Sequence, residues 1–320
     1  MCGLLGVFGK FDEKEYENHV RNIDDLIFRR GPDQVNSIKN DSFYGLHSRL
    51  IIQGDILDGV QPFEYKNIVV LFNGNLYNKF AIKKELEGSG YKISGASDTE
   101  VVAVALHSWG VSAFEKFNGF FSIALYDKSK KELTLARDKH GQKPIYYSST
   151  SKAIYFGSTE NMIPEACRGK IRSESYIDFI TYGFVPAPFT MFENMHLLEP
   201  ATYMIFRTYE SVIKGFNKIR YWRPEITDDI TNIDDAHDAL SFELKHAVYD
   251  GLQADTNVAC LYSGGVDSSL LFSYARDINK EIYTITADFG ADDDAAERAL
   301  PLISAYKHDN YVIKRINSKD

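Results

Sequence analysis

Cysteine is scarce: Cys2, Cys167 and Cys260 are the only three in 320 residues. They are odd in number and far apart, with no C-x-x-C or His-paired spacing, so neither a disulfide framework nor a zinc site is expected. A reducing compartment fits, and a cytoplasmic location is the expectation. Long apolar runs are also missing. None reaches the roughly 18 residues a membrane helix needs, and the start, MCGLLGVFGK, lacks a basic region and a cleavage site, so no membrane partner or signal peptide is expected. Excess positive charge is missing too. Thirty-six Lys plus Arg against 45 Asp plus Glu gives 36 − 45 = −9, which argues against nucleic acid as a partner.

What is present is ordinary globular material, with 44% apolar and 13% aromatic residues, and a length that predicts two domains. Strand-like segments rich in Val, Ile, Tyr and Phe recur at 4–8, 43–52, 68–72, 120–126, 133–136, 145–147 and 154–156. Between them, one helix is expected from Lys14 to Phe28, stopped by Gly31-Pro32, and another after Asp98 with Asp98 or Ser97 as its cap. Many strands with few helices imply a layered α+β domain. Residues 207–233 are polar and broken by Gly215 and Pro224, which predicts a linker between domains 2–206 and 234–320. Beyond it, Ile233, Leu240, Leu244, Val248 and Leu252 mark one apolar helix face from about Asp235, with Asp228, Asp229, Asp234, Asp235 and Asp238 crowding its start. Strand and helix then alternate through 258–262, 267–275, 281–287, 295–305 and 311–316, the pattern of a parallel sheet covered by helices.

Five residues suggest chemistry in the first domain. Removal of Met1 would leave Cys2 with a thiol and a free α-amine to serve as its base; the same residue also suits a small buried hydrophobe opening a strand. Asn73-Gly74 after an apolar strand offers a side-chain amide and a backbone N–H to a developing oxyanion, or forms a hairpin turn. Arg49, inside the apolar run LHSRLII, needs an anion, either a substrate carboxylate or a structural Asp. Asp98 could bind an ammonium group or cap its helix. In the second domain, Ser263-Gly264-Gly265-Val266-Asp267-Ser268-Ser269 lies between a strand and a helix. Small residues there let the backbone curl around phosphate, the helix N-terminus adds donors, and Asp267 can hold a metal. No Gly-Lys-Ser/Thr follows, so it is not a Walker A loop.

Taken together, the first domain resembles the class II glutamine amidotransferases. The resemblance rests on Cys2-Gly3, Arg29-Arg30-Gly31-Pro32-Asp33, Ser48-Arg49-Leu50, Asn73-Gly74-x-x-Tyr77-Asn78, Ser97-Asp98-Thr99-Glu100, Gly119-x-Phe121 and Arg137-Asp138-x-x-Gly141-x-x-Pro144-x-Tyr146-Tyr147, all in the family's order. It implies an N-terminal-nucleophile fold, an αββα sandwich. It further implies that Cys2 attacks the side-chain amide of glutamine, that Asn73 and Gly74 stabilise the oxyanion, and that Arg49, Leu50, Ile52, Asn73, Gly74, Asn75 and Asp98 bind glutamine. The family usually carries a carboxylate where this chain has Asn75, which predicts weaker glutamine binding.

The 263–269 loop resembles the pyrophosphate loop of ATP pyrophosphatases, and the two domains together resemble glutamine-dependent asparagine synthetases. That resemblance implies ATP and Mg²⁺ as cofactors, with Leu261, Ser263, Gly264, Gly265, Asp267, Ser268 and Ala287 near the nucleotide and Asp267 at the metal. Glutamine, ATP and aspartate are the implied substrates. The family's synthetase domain runs well past the 234–320 stretch, so an incomplete α/β parallel-sheet domain of the adenine nucleotide alpha hydrolase kind is expected, with β-strand 258–262 at an open edge. A homodimer or a complementing polypeptide are the expected partners. The alternative is a stand-alone glutaminase subunit that delivers ammonia to another acceptor, such as a sugar carboxylate.

Overall fold

The computed structural model describes residues 2–52, 57–95, 97–209, 212–226, 229–254, 256–290 and 294–316. Met1 and Asp228, used in the sequence reading, lie outside them. The chain divides into two compact units, Met1–Pro224 and Glu225–Asp320.

In the first unit, one sheet joins β1 (Gly3–Gly9), β2 (Gln34–Asn40), β3 (Phe43–Arg49), β8 (Tyr146–Ser149), β9 (Ala153–Gly157) and β10 (Met195–Leu197) in the order β10-β8-β9-β1-β3-β2. The other joins β4 (Phe63–Tyr65), β5 (Ile68–Leu76), β6 (Gly119–Asp127), β7 (Glu132–Arg137), β11 (Thr202–Tyr209) and β12 (Val212–Arg220) in the order β12-β11-β7-β6-β5-β4. The two-residue period of the strands sorts side chains between two cores. Leu4 and Phe8 of β1 and Phe43 of β3 meet Val69, Leu71, Ala124 and Phe206 between the sheets. The alternate residues Leu5 and Val7 face outward onto Tyr16 and Ile27, which lie on helices α1 (Glu13–Asn22) and α2 (Asp24–Arg30). Val70, Phe72, Phe121 and Ile123 face the other way, onto α3 (Lys79–Gly88), α4 (Asp98–Trp109) and α5 (Ala113–Lys116). The result is the four-layer αββα sandwich, which explains why every residue of β1 is buried. Two further helices, α6 (Glu165–Arg168) and α7 (Glu174–Tyr182), follow β9.

Three sequence expectations are corrected here. The single helix from Lys14 to Phe28 is two, broken at Ile23, whose backbone (φ −110°, ψ 18°) leaves the helical region before the acidic start of α2. Asn73-Gly74 does not close a strand or form a hairpin: β5 runs on to Leu76, paired with β6 through Gly74↔Phe121 and Asn75↔Phe120. The expected linker from 207 begins as sheet, because β11 reaches Tyr209 and β12 pairs with it antiparallel over Val212–Arg220. Its polar sequence is that of an edge strand, which needs charge on the side that meets water.

The second unit carries α8 (Ile233–Gly251), β13 (Ala259–Leu261), α9 (Val266–Ile278), β14 (Tyr283–Asp288), α10 (Ala295–Ala305) and β15 (Tyr311–Arg315), its three strands parallel in the order β13-β14-β15. Asn232 caps α8 by accepting the Asp235 N–H at 2.8 Å. Tyr262, Phe272, Ala275, Ile282, Ala299 and Ile303 form its core, with Val248 and Leu252 of the α8 end packed against it. Ile233 and Leu240 stay exposed, so the apolar face read for this helix is covered only in part, toward its C-terminal end. The strand 258–262 sits at the sheet edge as β13.

Candidate active site

Cys2 stands one residue before the β1 ladder, where Gly3 pairs with Ser48 of β3. Its thiol lies against the backbone of Leu50, whose N–H donates to Sγ at 3.3 Å while the thiol reaches the Leu50 carbonyl at 3.6 Å. Arg30, at the end of α2, donates to the Cys2 carbonyl from Nε (3.2 Å) and Nη2 (2.9 Å). Asp33 sets the adjoining segment by accepting the Ile51 N–H at 2.7 Å and donating its own N–H to the Arg49 carbonyl at 3.1 Å. Burial pushes the Cys2 thiol up from its ordinary value, the Leu50 N–H and the Arg49 charge pull it back, and Asp98 pushes it up again. The resting group is therefore a thiol that needs a base.

Across the sandwich, β5 presents Asn73, Gly74 and Asn75. Asn73 is 2% exposed, and its Nδ2 has no hydrogen-bond partner among the described residues, nor has Oδ1 of Asn75. A buried donor left unmade costs about 1–3 kcal/mol, a cost that a bound oxyanion removes. The residue before Asn73 is fixed on three sides. Gln61 accepts the Phe72 N–H (2.6 Å) and donates to the Phe72 carbonyl (3.0 Å), and His47 Nε2 donates to the same carbonyl (3.1 Å). His47 is kept neutral because burial lowers it to about 3. Gly74 has no room for a side chain, since a Cβ would fall 2.1 Å from the Phe120 carbonyl oxygen.

Asp98 opens α4 but does not cap it; Ser97 does, accepting the Thr99 N–H at 3.1 Å. The Asp98 carboxylate instead accepts the Leu76 N–H at 3.1 Å, two residues beyond Gly74 on β5. Burial raises Asp98 to about 6, against the opposing effects of the Leu76 N–H and of the Lys79 and Arg49 charges. Arg49 is buried, and its charge acts on both Cys2 and Asp98. The fold thus gathers Cys2, Arg49, Leu50 and Asp98 around the strand that carries Asn73, Gly74 and Asn75, while Ile52 is exposed two residues past Leu50. Arg30 lay in a quoted motif without a role. Gln61 and His47 act through a neighbour's backbone and leave no pattern in the sequence.

In the second unit, the loop after β13 leads into α9. Ser268 Oγ lies 3.1 Å from Ser263 Oγ, accepts the Ser263 N–H at 3.3 Å and donates to the Gly265 carbonyl at 3.1 Å. Gly264 has φ +72°, and a Cβ there would fall 2.5 Å from the Arg298 carbonyl carbon, so glycine is required. Gly265 caps α9 with no side-chain hydrogen bond, which leaves the first-turn N–H groups open to an anion. Asp267 and Leu261 are exposed beside this loop, as is Ala287 near the end of β14. This donor set fits a polyphosphate. No group of three His, Cys, Asp or Glu placed to hold a metal occurs among the described residues, so a cation at Asp267 would take its other ligands from phosphate and water.

Comparison with known proteins agrees with this division. The family described as Glutamine amidotransferase domain matches residues 1–222, and that described as Asparagine synthase matches 239–314. Asparagine synthetase [glutamine-hydrolyzing] 1 of Bacillus subtilis is 29% identical over 300 residues, 90% of this chain and 46% of that protein. Putative asparagine synthetase [glutamine-hydrolyzing] 2 of Methanocaldococcus jannaschii is 25% identical over 346 residues, 98% of this chain and 65% of its own. Amidase chry2 of Gibberella zeae is 30% identical over 273 residues, 81% and 39% of the two chains. The chain thus spans about half the length of the Bacillus relative. Among solved structures, glutamine phosphoribosylpyrophosphate amidotransferase from B. subtilis aligns with TM-score 0.48 and 13% identity over 98% of this chain and 81% of that one. No helix among the described residues is long and apolar enough to cross a membrane. With more than two thirds of its length matched by one family, this chain belongs to the glutamine amidotransferase domain family.

Proposed function

We propose that the first unit hydrolyses glutamine at Cys2 and that the second belongs to an ATP-dependent amide ligase of the asparagine synthetase kind. The observation that carries the first part is the buried, unpartnered Nδ2 of Asn73 on the strand that Asp98 ties to the Cys2 neighbourhood. The Cys2 thiol gives its proton to the residue's own α-amine as its sulfur attacks the side-chain carbonyl carbon of glutamine. Asn73 Nδ2 and the Gly74 N–H receive the oxyanion as it forms. Collapse of the tetrahedral intermediate breaks the C–N bond, and the α-ammonium returns the proton to the departing ammonia. Water then cleaves the glutamyl thioester to glutamate and the thiol. Arg49 holds the substrate α-carboxylate and Asp98 its α-ammonium, so selectivity rests on one buried charge of each sign.

In the second unit, Ser263, Ser268 and the open end of α9 would hold the phosphates of ATP, with Mg²⁺ at Asp267. The bound nucleotide would supply the adenylyl group that activates a carboxylate, and aspartate is the carboxylate proposed, since amidation of its side chain gives the asparagine in the relatives' name. A second reading, an ammonia-delivering subunit whose acceptor chemistry lies on another polypeptide, is favoured by the three-stranded sheet, which has one open face. The test is ammonia release from glutamine by the parent chain and by Cys2→Ala, together with pyrophosphate release from ATP, aspartate and ammonia. Cys2-dependent ammonia with pyrophosphate supports the ligase; Cys2-dependent ammonia alone supports the subunit. Ammonia release that survives in Cys2→Ala refutes both.

A further inference from the structure

Asp138, just past the end of β7, is wholly buried, and among the described residues four backbone N–H groups donate to its carboxylate. Oδ1 accepts the N–H groups of His140 (3.1 Å) and Gln142 (3.0 Å). Oδ2 accepts those of Phe121 (3.1 Å) and Lys143 (2.9 Å). The Asp138 N–H donates to the Phe121 carbonyl at 2.9 Å, and its carbonyl receives Gly141 (3.1 Å) and Ala201 (2.8 Å). One residue therefore joins β6, the turn 139–143 and the start of β11. Four N–H donors compensate a charge that would otherwise be too costly to bury.

The partner that matters is Phe121. It is the ladder partner of Gly74, and the carbonyl of Phe120 lies directly against the Gly74 Cα. Lys143, held by the same Oδ2, places its ammonium 4.6 Å from the centroid of the Phe120 ring. The backbone that borders the oxyanion donors is thus held from behind by a single carboxylate.

We propose that Asp138 is a positioning residue for glutamine hydrolysis: by fixing the Phe121 N–H it sets the stretch of β6 against which Asn73 and Gly74 are placed. The proposal rests on the glutaminase reading above. Asp138 touches neither substrate nor nucleophile, so its loss acts on the oxyanion donors and spares the thiol. Stabilisation that is made only in the transition state appears in kcat, whereas Arg49 and Asp98, which hold the two charged groups of the substrate in that reading, stand on other elements.

The test is Asp138→Asn, which keeps the size but, whichever way the amide turns, points an NH2 at two N–H donors. Glutamine hydrolysis, alkylation of Cys2 by iodoacetamide and hydrogen exchange of the peptide 70–78 are measured on the same folded chain. The expected result is a kcat about 10–100-fold lower with KM within about threefold, since a displaced oxyanion donor costs rate rather than ground-state binding. Alkylation stays within about twofold, because the Leu50 and Arg30 contacts of Cys2 remain, and exchange across 70–78 accelerates while that of 3–9 does not. A folded variant with parental kcat, a loss confined to KM, or equal slowing of alkylation overturns the proposal. Asp138→Ser, which leaves room for water at the vacated oxygens, carries the same expectations if the Asn chain is not recovered folded. A parent chain without Cys2-dependent ammonia release would defeat the glutaminase reading instead. The exchange comparison then still decides whether Asp138 holds this strand, and unchanged exchange at 70–78 refutes it.

Discussion

The raised Asp98 carboxyl gives a sharp pH test of glutamine binding. Burial lifts it to about 6 from an ordinary value of 3.8, so in the free protein it is about nine-tenths ionised at pH 7 and about one-tenth at pH 5. If its charge holds the substrate α-ammonium, KM for glutamine rises about tenfold between pH 7 and pH 5. In Asp98→Asn, KM is higher at pH 7 and nearly flat over this interval. Stability moves the opposite way. A carboxyl whose folded value lies above its unfolded one favours the protonated folded state, so its ionisation destabilises the fold as pH rises from about 4 through 6. A shift of about two pH units corresponds to about 3 kcal/mol. Asp98→Asn, which keeps an acceptor for the Leu76 N–H, therefore raises Tm at pH 7 more than at pH 4. Initial rates of glutamate formation from pH 5 to 8, with melting curves at both pH values, decide the matter. A KM that is constant down to pH 5, or an Asp98→Asn chain less stable at pH 7 than the parent, refutes the reasoning.

Asn73→Ala removes one oxyanion donor and is expected to lower kcat about 10²–10³-fold with little change in KM, read from saturation kinetics; an equal rise in KM would move Asn73 to ground-state binding. Gly74→Ala drives a methyl into the Phe120 carbonyl, so a lowered Tm and loss of ammonia release are expected together; a chain with parental melting and activity contradicts the close approach. Asn75→Asp supplies a charge near the proposed ammonium site and should lower KM for glutamine at pH 7 about two- to tenfold, measured against the parent in one buffer. An unchanged KM would mean that Asn75 does not face the substrate. Ile285→Lys, on the open face of the second sheet, should leave the melting of the chain within about 1 °C, as expected for an exposed position.

The layers were legible because local pattern and physical cause coincide. The apolar β1 must be covered on both sides, and the alternation after residue 258 allows only parallel strands. What stayed hidden depends on partners distant in sequence. β12 reads as linker because an edge strand is selected for what meets water rather than for what is buried. Asn73-Gly74 reads as a turn by propensity, yet pairing with β6 holds it extended, a case of tertiary structure overriding local preference. Gln61 and His47 fix Phe72 through backbone atoms, which carry no residue signature. Asp98 reads as a cap or as an ammonium site; Ser97 takes the cap, and the Asp98 carboxylate accepts the Leu76 N–H instead.

The order β13-β14-β15 has a topological consequence. Successive right-handed crossovers that step in one direction deposit their helices on one side, so α9 and α10 share a face with α8, and the row Leu261, Ile285 and Val312, aligned in register across the strands, meets solvent. Leu261 alone is 81% exposed. A parallel sheet becomes two-sided only when the chain order reverses, and here the reversal would fall beside β13, at whose carboxyl end the Ser263–Ser268 loop stands. Such reversal points are where open α/β sheets form a crevice for nucleotide. A strand added beside β13 would therefore make this loop one bank of a cleft and bring the other.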